Sequence, residues 1–131
     1  MKLLNLILER KQVGKLYHFT SIKNLKRIKE CDCLIGKKYG NVKFSDQGSY
    51  FISTTRDKNL HKTFPVGVAV EVRITLDGDK LSDKYKIFPF NFFKDEGLAA
   101  FMSDEKEERI NLGKKPSLQN LSNYILAIDE M

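Results

Sequence analysis

The sequence predicts an α+β domain built around an antiparallel or mixed sheet. A helix, a strand and a second helix open the chain, and after residue 35 most patterned segments are extended. Of the 131 residues, 41% are hydrophobic and 31% are charged, as in an ordinary globular domain. Too few crossover helices remain for a doubly wound parallel sheet. We therefore expect a single domain over residues 1–131.

The first elements follow from apolar spacing and capping. Apolar residues at helical spacing predict an amphipathic helix over residues 2–11, which ends at Gly14. Residues 15–19 are typical of a strand. Ser21 is expected to cap a second helix, because its hydroxyl can accept from backbone N–H groups of the first turn. The buried stripe of that helix comprises Ile22, Leu25 and Ile28.

The rest of the chain is predicted to be mainly extended. Residues 66–76 show the clearest alternation of apolar and polar side chains. Pro89 indicates an edge strand or a loop, because proline donates no ladder hydrogen bond. Residues 77–79 predict a turn and residues 117–121 a helical turn. The extended segments are residues 50–54, 66–76, 85–90, 108–112 and 123–129.

The two cysteines, Cys31 and Cys33, are expected to be free. They lie too close together for an ordinary disulfide, and with only His18 and His61 to supplement them they lack the spacing of a zinc site. We interpret them as small packing residues after the second helix. Free thiols favour a reducing, intracellular compartment. No apolar run approaches the roughly 20 residues of a membrane span, so a soluble cytoplasmic protein without a membrane partner is expected.

Positive charge is concentrated in the first third of the chain. Residues 1–44 carry 11 Lys and Arg against 3 Asp and Glu, whereas residues 45–131 carry 12 against 14. A basic segment of this kind favours a polyanionic partner such as nucleic acid. Lysines that only solvate the outer face of a helix would give the same count.

His18 is the first candidate site residue. It follows a short apolar strand and precedes a helix N-terminus, whose N–H groups attract phosphate oxygens. A histidine there is well placed to hold a ribose or a phosphate. The simpler interpretation is a histidine bonded to a backbone partner at the end of a strand.

The segment Ile52–Arg56 and the acidic run at residues 104–108 supply the other candidates. Ser53 and Thr54 carry hydroxyls that can line a cleft, although strand propensity alone explains them. Arg56 can donate bidentately to a pyrophosphate, or form a surface ion pair. The acidic run is either a solvated face or the source of a carboxylate that stabilises a cationic transition state.

Taken together, these segments resemble the motifs of ADP-ribosyltransferase-like proteins. Leu16–Ser21 followed by Asn24–Leu25 is similar to the opening strand and helix of the DNA-targeting DarT toxins, of RNA 2′-phosphotransferases and of small phage proteins. Ile52–Arg56 resembles the family's second motif strand. Glu105-Lys106-Glu107 is similar to the Glu-x-Glu element that carries the catalytic glutamate.

The resemblance implies a split antiparallel β-sandwich with N-terminal helices and a cleft for NAD, the substrate, between its sheets. His18 would bind a ribose hydroxyl and Arg56 the pyrophosphate, and no metal would be needed. Glu107 would be the catalytic glutamate, with Glu108 as the alternative. The cofactor-binding set implied by the family comprises His18, Thr20, Ser53, Thr54 and Arg56. The chain lacks the complete Arg-Ser-Glu and His-Tyr-Glu patterns, and Tyr17 and Tyr50 are the candidates for stacking on a ring.

The function implied is mono-ADP-ribosyl transfer from NAD to a protein or nucleic acid, in a toxin or phage context. Two other classes stay open. A small basic nucleic-acid-binding protein or RNA-cleaving toxin would use His18 and Arg56 on RNA phosphates. A non-catalytic inhibitor that binds a host factor would need no catalytic group, but would expose an apolar patch.

Overall fold

The computed structural model describes residues 13–38, 49–64, 70–90 and 107–131. Within them the chain forms an α+β fold that is mostly antiparallel sheet with two helices. The strands are β1 (Lys15–Thr20), β2 (Leu34–Ile35), β3 (Lys37–Lys38), β4 (Tyr50–Thr55), β5 (Val72–Asp77), β6 (Lys86–Phe90), β7 (Glu107–Gly113), β8 (Ser117–Leu118) and β9 (Ile125–Glu130). The helices are α1 (Ile22–Cys31) and α2 (Gly78–Ser82), with 3-10 turns at Leu60–Thr63 and Leu121–Asn123.

One sheet holds seven of these strands, in the order β6-β7-β4-β1-β5-β9, with β3 paired to β4. Strands β2 and β8 form a separate antiparallel pair. Every pairing in the large sheet is antiparallel. The predicted strand over residues 85–90 lies at the sheet edge, as its proline required.

The two central strands, β1 and β4, are joined at a single residue pair. Tyr17 lies opposite Thr55, whereas β1 pairs with β5, and β4 with β7, along most of their lengths. The sheet therefore consists of two groups of strands, one with β3, β4, β6 and β7 and the other with β1, β5 and β9. Away from their one shared pair, β1 and β4 leave space between them.

The core packs against one face of this sheet. Leu16, Ile74 and Leu76 come from adjacent strands and are fully buried, and Leu25 of α1 belongs to the same hydrophobic cluster. Burial of these side chains supplies most of the favourable free energy of folding. The largest buried side chains are Leu16, Ile52, Val72, Ile74, Leu76, Leu81, Ile110, Leu118 and Leu121.

Helix α1 begins where the sequence predicted. The Ser21 hydroxyl accepts a hydrogen bond from the backbone N–H of Asn24 at 3.1 Å, which confirms the cap. Of the predicted stripe, Leu25 is buried and Ile28 partly buried, but Ile22 is 48% exposed. The helix predicted over residues 2–11 lies outside the described residues.

Three details of the second half differ from the prediction. The expected turn at residues 77–79 is the start of α2, because Asp77 caps that helix through the N–H of Lys80. Residues 117–118 form β8, and the 3-10 turn comes later, at Leu121–Asn123. The alternation of Tyr124, Leu126 and Ile128 places all three on one face in the prediction. In the structure the register shifts, so that Thr75 pairs with Ala127 and Leu76 with Ile125, and Leu126 is 52% exposed.

The interpretation of the cysteines as free thiols is wrong. Cys31 and Cys33 form a disulfide. Asp32 between them adopts a left-handed conformation with φ 50° as the C-cap of α1, and this tight reversal brings the two Cα atoms to 5.2 Å. The inference from free thiols to a reducing compartment loses its premise, and a cytoplasmic location stays a prediction.

Candidate functional site

A cavity of about 640 Å³ lies where β1 and β4 leave space between them. Residues 17–19 of β1 line one wall and residues 51–55 of β4 line the other. The volume falls within the roughly 300–1,000 Å³ typical of small-molecule sites. The remaining lining residues are Ile35, Lys37, Leu60, Thr63, Phe64 and Glu107.

His18 bridges the two walls of this cavity. Its Nδ1 lies 2.9 Å from the carbonyl oxygen of Ser53, and because that oxygen can only accept, Nδ1 carries the proton. Burial lowers the pKa of His18; the Ser53 hydrogen bond opposes this, and the nearby Lys37 charge reinforces it. The ring is therefore neutral at pH 7, and Nε2 presents a lone pair that can accept a hydrogen bond from a ligand hydroxyl.

Glu107 lies on the wall built by β4 and β7, and both of its carboxylate oxygens are held. Oε2 accepts from the Ser53 hydroxyl at 2.5 Å, and Oε1 lies 3.2 Å from Nε of Arg109. The Glu107 side chain is 11% exposed, so it retains limited access to the cavity. Two partners on different strands fix the orientation of this carboxylate.

Arg109 is itself held in place by an aromatic ring. Its guanidinium carbon lies 3.9 Å from the centroid of the Phe51 ring, and its side chain is 11% exposed. A desolvated guanidinium on an aromatic face gains cation–π attraction. Arg109 thus stacks on Phe51 and pairs with Glu107, whose carboxylate also accepts from the Ser53 hydroxyl.

Glu108, the alternative catalytic residue, does not line the cavity. Its Oε1 lies 3.1 Å from Nε of Arg56, and burial raises its pKa while the charge of Arg56 opposes that change. Consecutive residues of a strand point to opposite faces, so Glu107 and Glu108 lie on opposite faces of β7, and of the two only Glu107 lines the cavity. Of the two carboxylates, the structure therefore brings to the cavity Glu107, which the resemblance implies is catalytic, and not its alternative Glu108.

The remaining sequence candidates divide between the cavity and its surroundings. Ser53 and Thr54 line the cavity as expected. Arg56 is 53% exposed and paired with Glu108, and it is not among the lining residues, so its role with a pyrophosphate stays a prediction. Thr20 is buried at the end of β1, also outside the lining.

The N-terminus of α1 is occupied by a side chain of the protein. The backbone N–H of Ile22 donates to the carboxylate of Glu71 at 3.3 Å. A carboxylate there satisfies the helix dipole in the way that a phosphate would. Glu71 therefore occupies the helix N-terminus where the sequence predicted attraction of phosphate oxygens, and His18 lines the cavity.

The sequence missed two features of the cavity. Lys37 is the one lysine or arginine that lines the cavity among the residues that the structure describes, yet β3 is too short to give a strand pattern. Phe19 and Phe64 form an edge-to-face pair with centroids 6.0 Å apart, and both line the cavity beside Leu60. Tyr17 is also a lining residue, whereas Tyr50 packs against the core. Only Tyr17 of the two tyrosines thus remains a candidate for stacking on a ligand ring.

Acidification is expected to weaken the fold through His18. The histidine of an unfolded chain binds a proton near pH 6.5, whereas burial lowers the pKa of the folded residue. The unfolded state then binds more protons below this pH, so the free energy of unfolding falls as the pH drops. Thermal unfolding between about pH 5 and 7.5 measures this slope. His18→Asn retains an N–H donor for Ser53 but does not titrate, and identical slopes in the two proteins would refute the assignment.

No protein-family model matches the chain, and neither the curated proteins nor the solved structures contain a match. Among the described residues, no group of three or more His, Cys, Asp or Glu side chains is arranged to hold a metal ion. Neither described helix has the length and apolar character needed to cross a membrane.

Proposed function

We propose that this protein is an NAD-dependent mono-ADP-ribosyltransferase whose site is the cavity between β1 and β4. The observation that carries the proposal is that His18 and Glu107 are both hydrogen-bonded to Ser53 at that gap. These residues come from the three segments that resemble the family's motifs, and in the folded chain they lie within one hydrogen-bonded unit. A split antiparallel β-sandwich with N-terminal helices is the finer fold we propose, supported by the single pair that joins β1 to β4.

The polar residues of the cavity match the parts of NAD. The lone pair of His18 Nε2 accepts from a ribose hydroxyl, and the ammonium of Lys37 lies close enough to influence His18 and to pair with the diphosphate. The Phe19 and Phe64 rings offer an apolar surface for a planar base. One cavity thus offers a cation for the diphosphate, a hydrogen-bond acceptor for a ribose hydroxyl and aromatic rings for a base.

Glu107 is placed for the chemical step. Cleavage of the bond between the nicotinamide nitrogen and C1′ of the ribose leaves the electron pair on nicotinamide, which departs as a neutral molecule. Positive charge develops on the sugar, as in glycoside cleavage, and a fixed carboxylate stabilises it. The acceptor nucleophile then bonds to C1′ and releases its proton.

The exposed face of α1 favours a polyanionic acceptor and also keeps a second candidate function open. Four cations of this helix, Lys23, Lys26, Arg27 and Lys29, are exposed and make no ion pair within the described part of the chain. Unpaired cations on one helix attract phosphates. A nucleic-acid-binding or RNA-cleaving protein is therefore the alternative, and RNA cleavage in the absence of NAD would select it.

Calorimetry with NAD tests the proposed function, and β3 supplies a matched pair of variants. Lys37 lines the cavity and its neighbour Lys38 does not, although both are exposed lysines of one short strand. Loss of an ion pair to the diphosphate should make the dissociation constant about tenfold larger in Lys37→Met, with no change in Lys38→Met. Arg56→Ala should change the dissociation constant of NAD less than Lys37→Met does.

Two outcomes would contradict this proposal. Equal affinities in the wild type, Lys37→Met and Lys38→Met would remove Lys37 from the site. If NAD does not bind at any concentration from micromolar to millimolar, the resemblance to the family does not extend to its substrate. Binding of RNA would then be the next measurement.

A further inference from the structure

The Cys31–Cys33 disulfide lies at a place where it is open to solvent and linked to the cavity. Cys31 is the last residue of α1 and is exposed, whereas Cys33 is 6% exposed and begins the turn into β2. Four residues after Cys33, Lys37 enters the cavity wall, and Ile35 between them is also a lining residue. The disulfide is therefore close in sequence to one edge of the candidate site.

A disulfide across a single residue adds little stability through the unfolded chain. The entropy removed from that chain grows with the logarithm of the closed loop, and here the sequence separation is two. The segment after it is also anchored independently, since Leu34 is buried in the core and pairs with Leu118. A purely stabilising role therefore explains this bond poorly.

We propose that the Cys31–Cys33 disulfide is a reversible thiol–disulfide exchange site for a dithiol reductant, and that its reduction loosens the segment that carries Ile35 and Lys37 to the cavity. This inference concerns a second site and does not depend on the activity proposed above.

The exchange proceeds in two balanced steps. One thiolate of the reductant attacks Sγ of the exposed Cys31 and forms a mixed disulfide, while the bond to Cys33 breaks and Cys33 leaves as a thiolate that takes up a proton. The second thiolate of the reductant attacks the sulfur of its own first thiol and displaces Cys31, which is also protonated. The protein gains two electrons and two protons, and the reductant is oxidised to its disulfide.

Asp32 couples the bond to the rest of the fold. Its φ of 50° lies in the left-handed region, which costs free energy for a residue other than glycine and persists only when its surroundings enforce it. Its carboxylate accepts from the backbone N–H and hydroxyl of Ser122 at 2.7 and 2.9 Å, and its carbonyl oxygen accepts from Leu121 at 2.9 Å. Reduction removes the covalent constraint across Asp32, and the hydrogen bonds alone must then hold its conformation.

The path from Asp32 to the cavity is short and tightly packed. The N–H of Gly36 donates to the carbonyl oxygen of Pro116 at 2.8 Å, and a Cβ atom built on Gly36 would lie 3.2 Å from the carbonyl oxygen of Phe51 in β4. A shift of residues 33–38 therefore alters the contacts between β3 and β4, beside Lys37. The open edge of β3, which pairs only with β4 among the described strands, gives that shift room.

The test compares the oxidised and the dithiothreitol-reduced protein under native conditions. Iodoacetamide followed by intact mass should add no group to the oxidised chain and two groups to the reduced chain. Reduced protein that is freed of dithiothreitol and treated with oxidised glutathione before alkylation should again take up none. Hydrogen exchange of backbone amides in residues 33–38 should become roughly threefold faster or more on reduction, with no change at Ile74 and Leu76 in the core. The double variant Cys31→Ser, Cys33→Ala should exchange like the reduced protein.

Three results would overturn the proposal. Reduction only in denaturant would show that the bond is not accessible in the folded protein. Reduction without faster exchange in residues 33–38 would show that it does not act on the cavity wall. A double variant that exchanges like the oxidised protein would show the same. If that variant fails to fold, the comparison of the oxidised and the reduced wild-type protein still tests whether reduction acts on residues 33–38. Thiol counts and exchange rates require no NAD, so failure here is separate from failure of the proposed activity.

Discussion

Glu107→Gln is expected to lower the rate of the proposed ADP-ribosyl transfer by about 10²–10³-fold. Glutamine keeps the size and can still accept from Ser53, but it carries no charge to stabilise the positive sugar. Release of nicotinamide from NAD, followed by chromatography, measures the rate. Circular dichroism and thermal unfolding check that the fold is retained, because Glu107 is held by contacts on two strands.

Glu108→Gln is the matched control for this experiment. The two residues are neighbours on β7 with similar exposure, at 11% and 13% of the side chain, but only Glu107 lines the cavity. The rate with Glu108→Gln should stay within a few-fold of the wild type. Equal losses in the two variants, or a loss only in Glu108→Gln, would exclude Glu107 as the catalytic carboxylate.

Arg109→Met is expected to lower the free energy of unfolding by about 3 kcal/mol, because it leaves a largely desolvated carboxylate without its cation. Methionine keeps apolar contact with Phe51 and so isolates the loss of charge. Urea unfolding gives the difference in free energy. The rate should also fall, since Ser53 alone would then orient Glu107.

A double variant shows whether loss of the ion pair between Arg109 and Glu107 causes the expected drop in the free energy of unfolding. In Arg109→Met with Glu107→Gln neither position carries a charge, so a substantial part of the lost stability should return. If the effects of the two single changes simply add, the ion pair between Arg109 and Glu107 is not the cause of the lost stability. Arg73→Met provides a comparison at an ion pair with the 47% exposed Asp129, where the loss should be smaller.

Local patterns were sufficient to predict the elements that form the site walls. Ser21 as a cap, the strand at residues 50–54 and the edge strand with Pro89 all depend on chemistry carried by adjacent residues. The same is true of the strand that carries His18, although β1 continues to Thr20 and His18 lies within the strand rather than at its end. Each of these follows from spacing or from a residue's own hydrogen-bonding groups.

Features that depend on distant segments were not predictable in this way. The choice between Glu107 and Glu108 rests on which face of β7 borders the cavity, and a run of acidic residues carries no signal of its register. The disulfide required a left-handed Asp32, held by Ser122 from the far end of the chain. Lys37 entered the cavity through a two-residue strand that only pairing with β4 defines.

The order of the strands has a consequence for how the chain folds. The three main ladders pair His18 with Ile74, Ser53 with Arg109 and Ile74 with Ile128, so each joins parts of the chain that are far apart in sequence. Chain entropy must be lost before any of these contacts forms, and such topologies refold in milliseconds to seconds rather than in microseconds. Until β9 is synthesised and paired, β5 lacks its outer neighbour. The nascent protein therefore leaves one edge of the apolar strand β5 unpaired from the synthesis of β5 until β9 pairs with it, and during this interval association with other chains competes with folding.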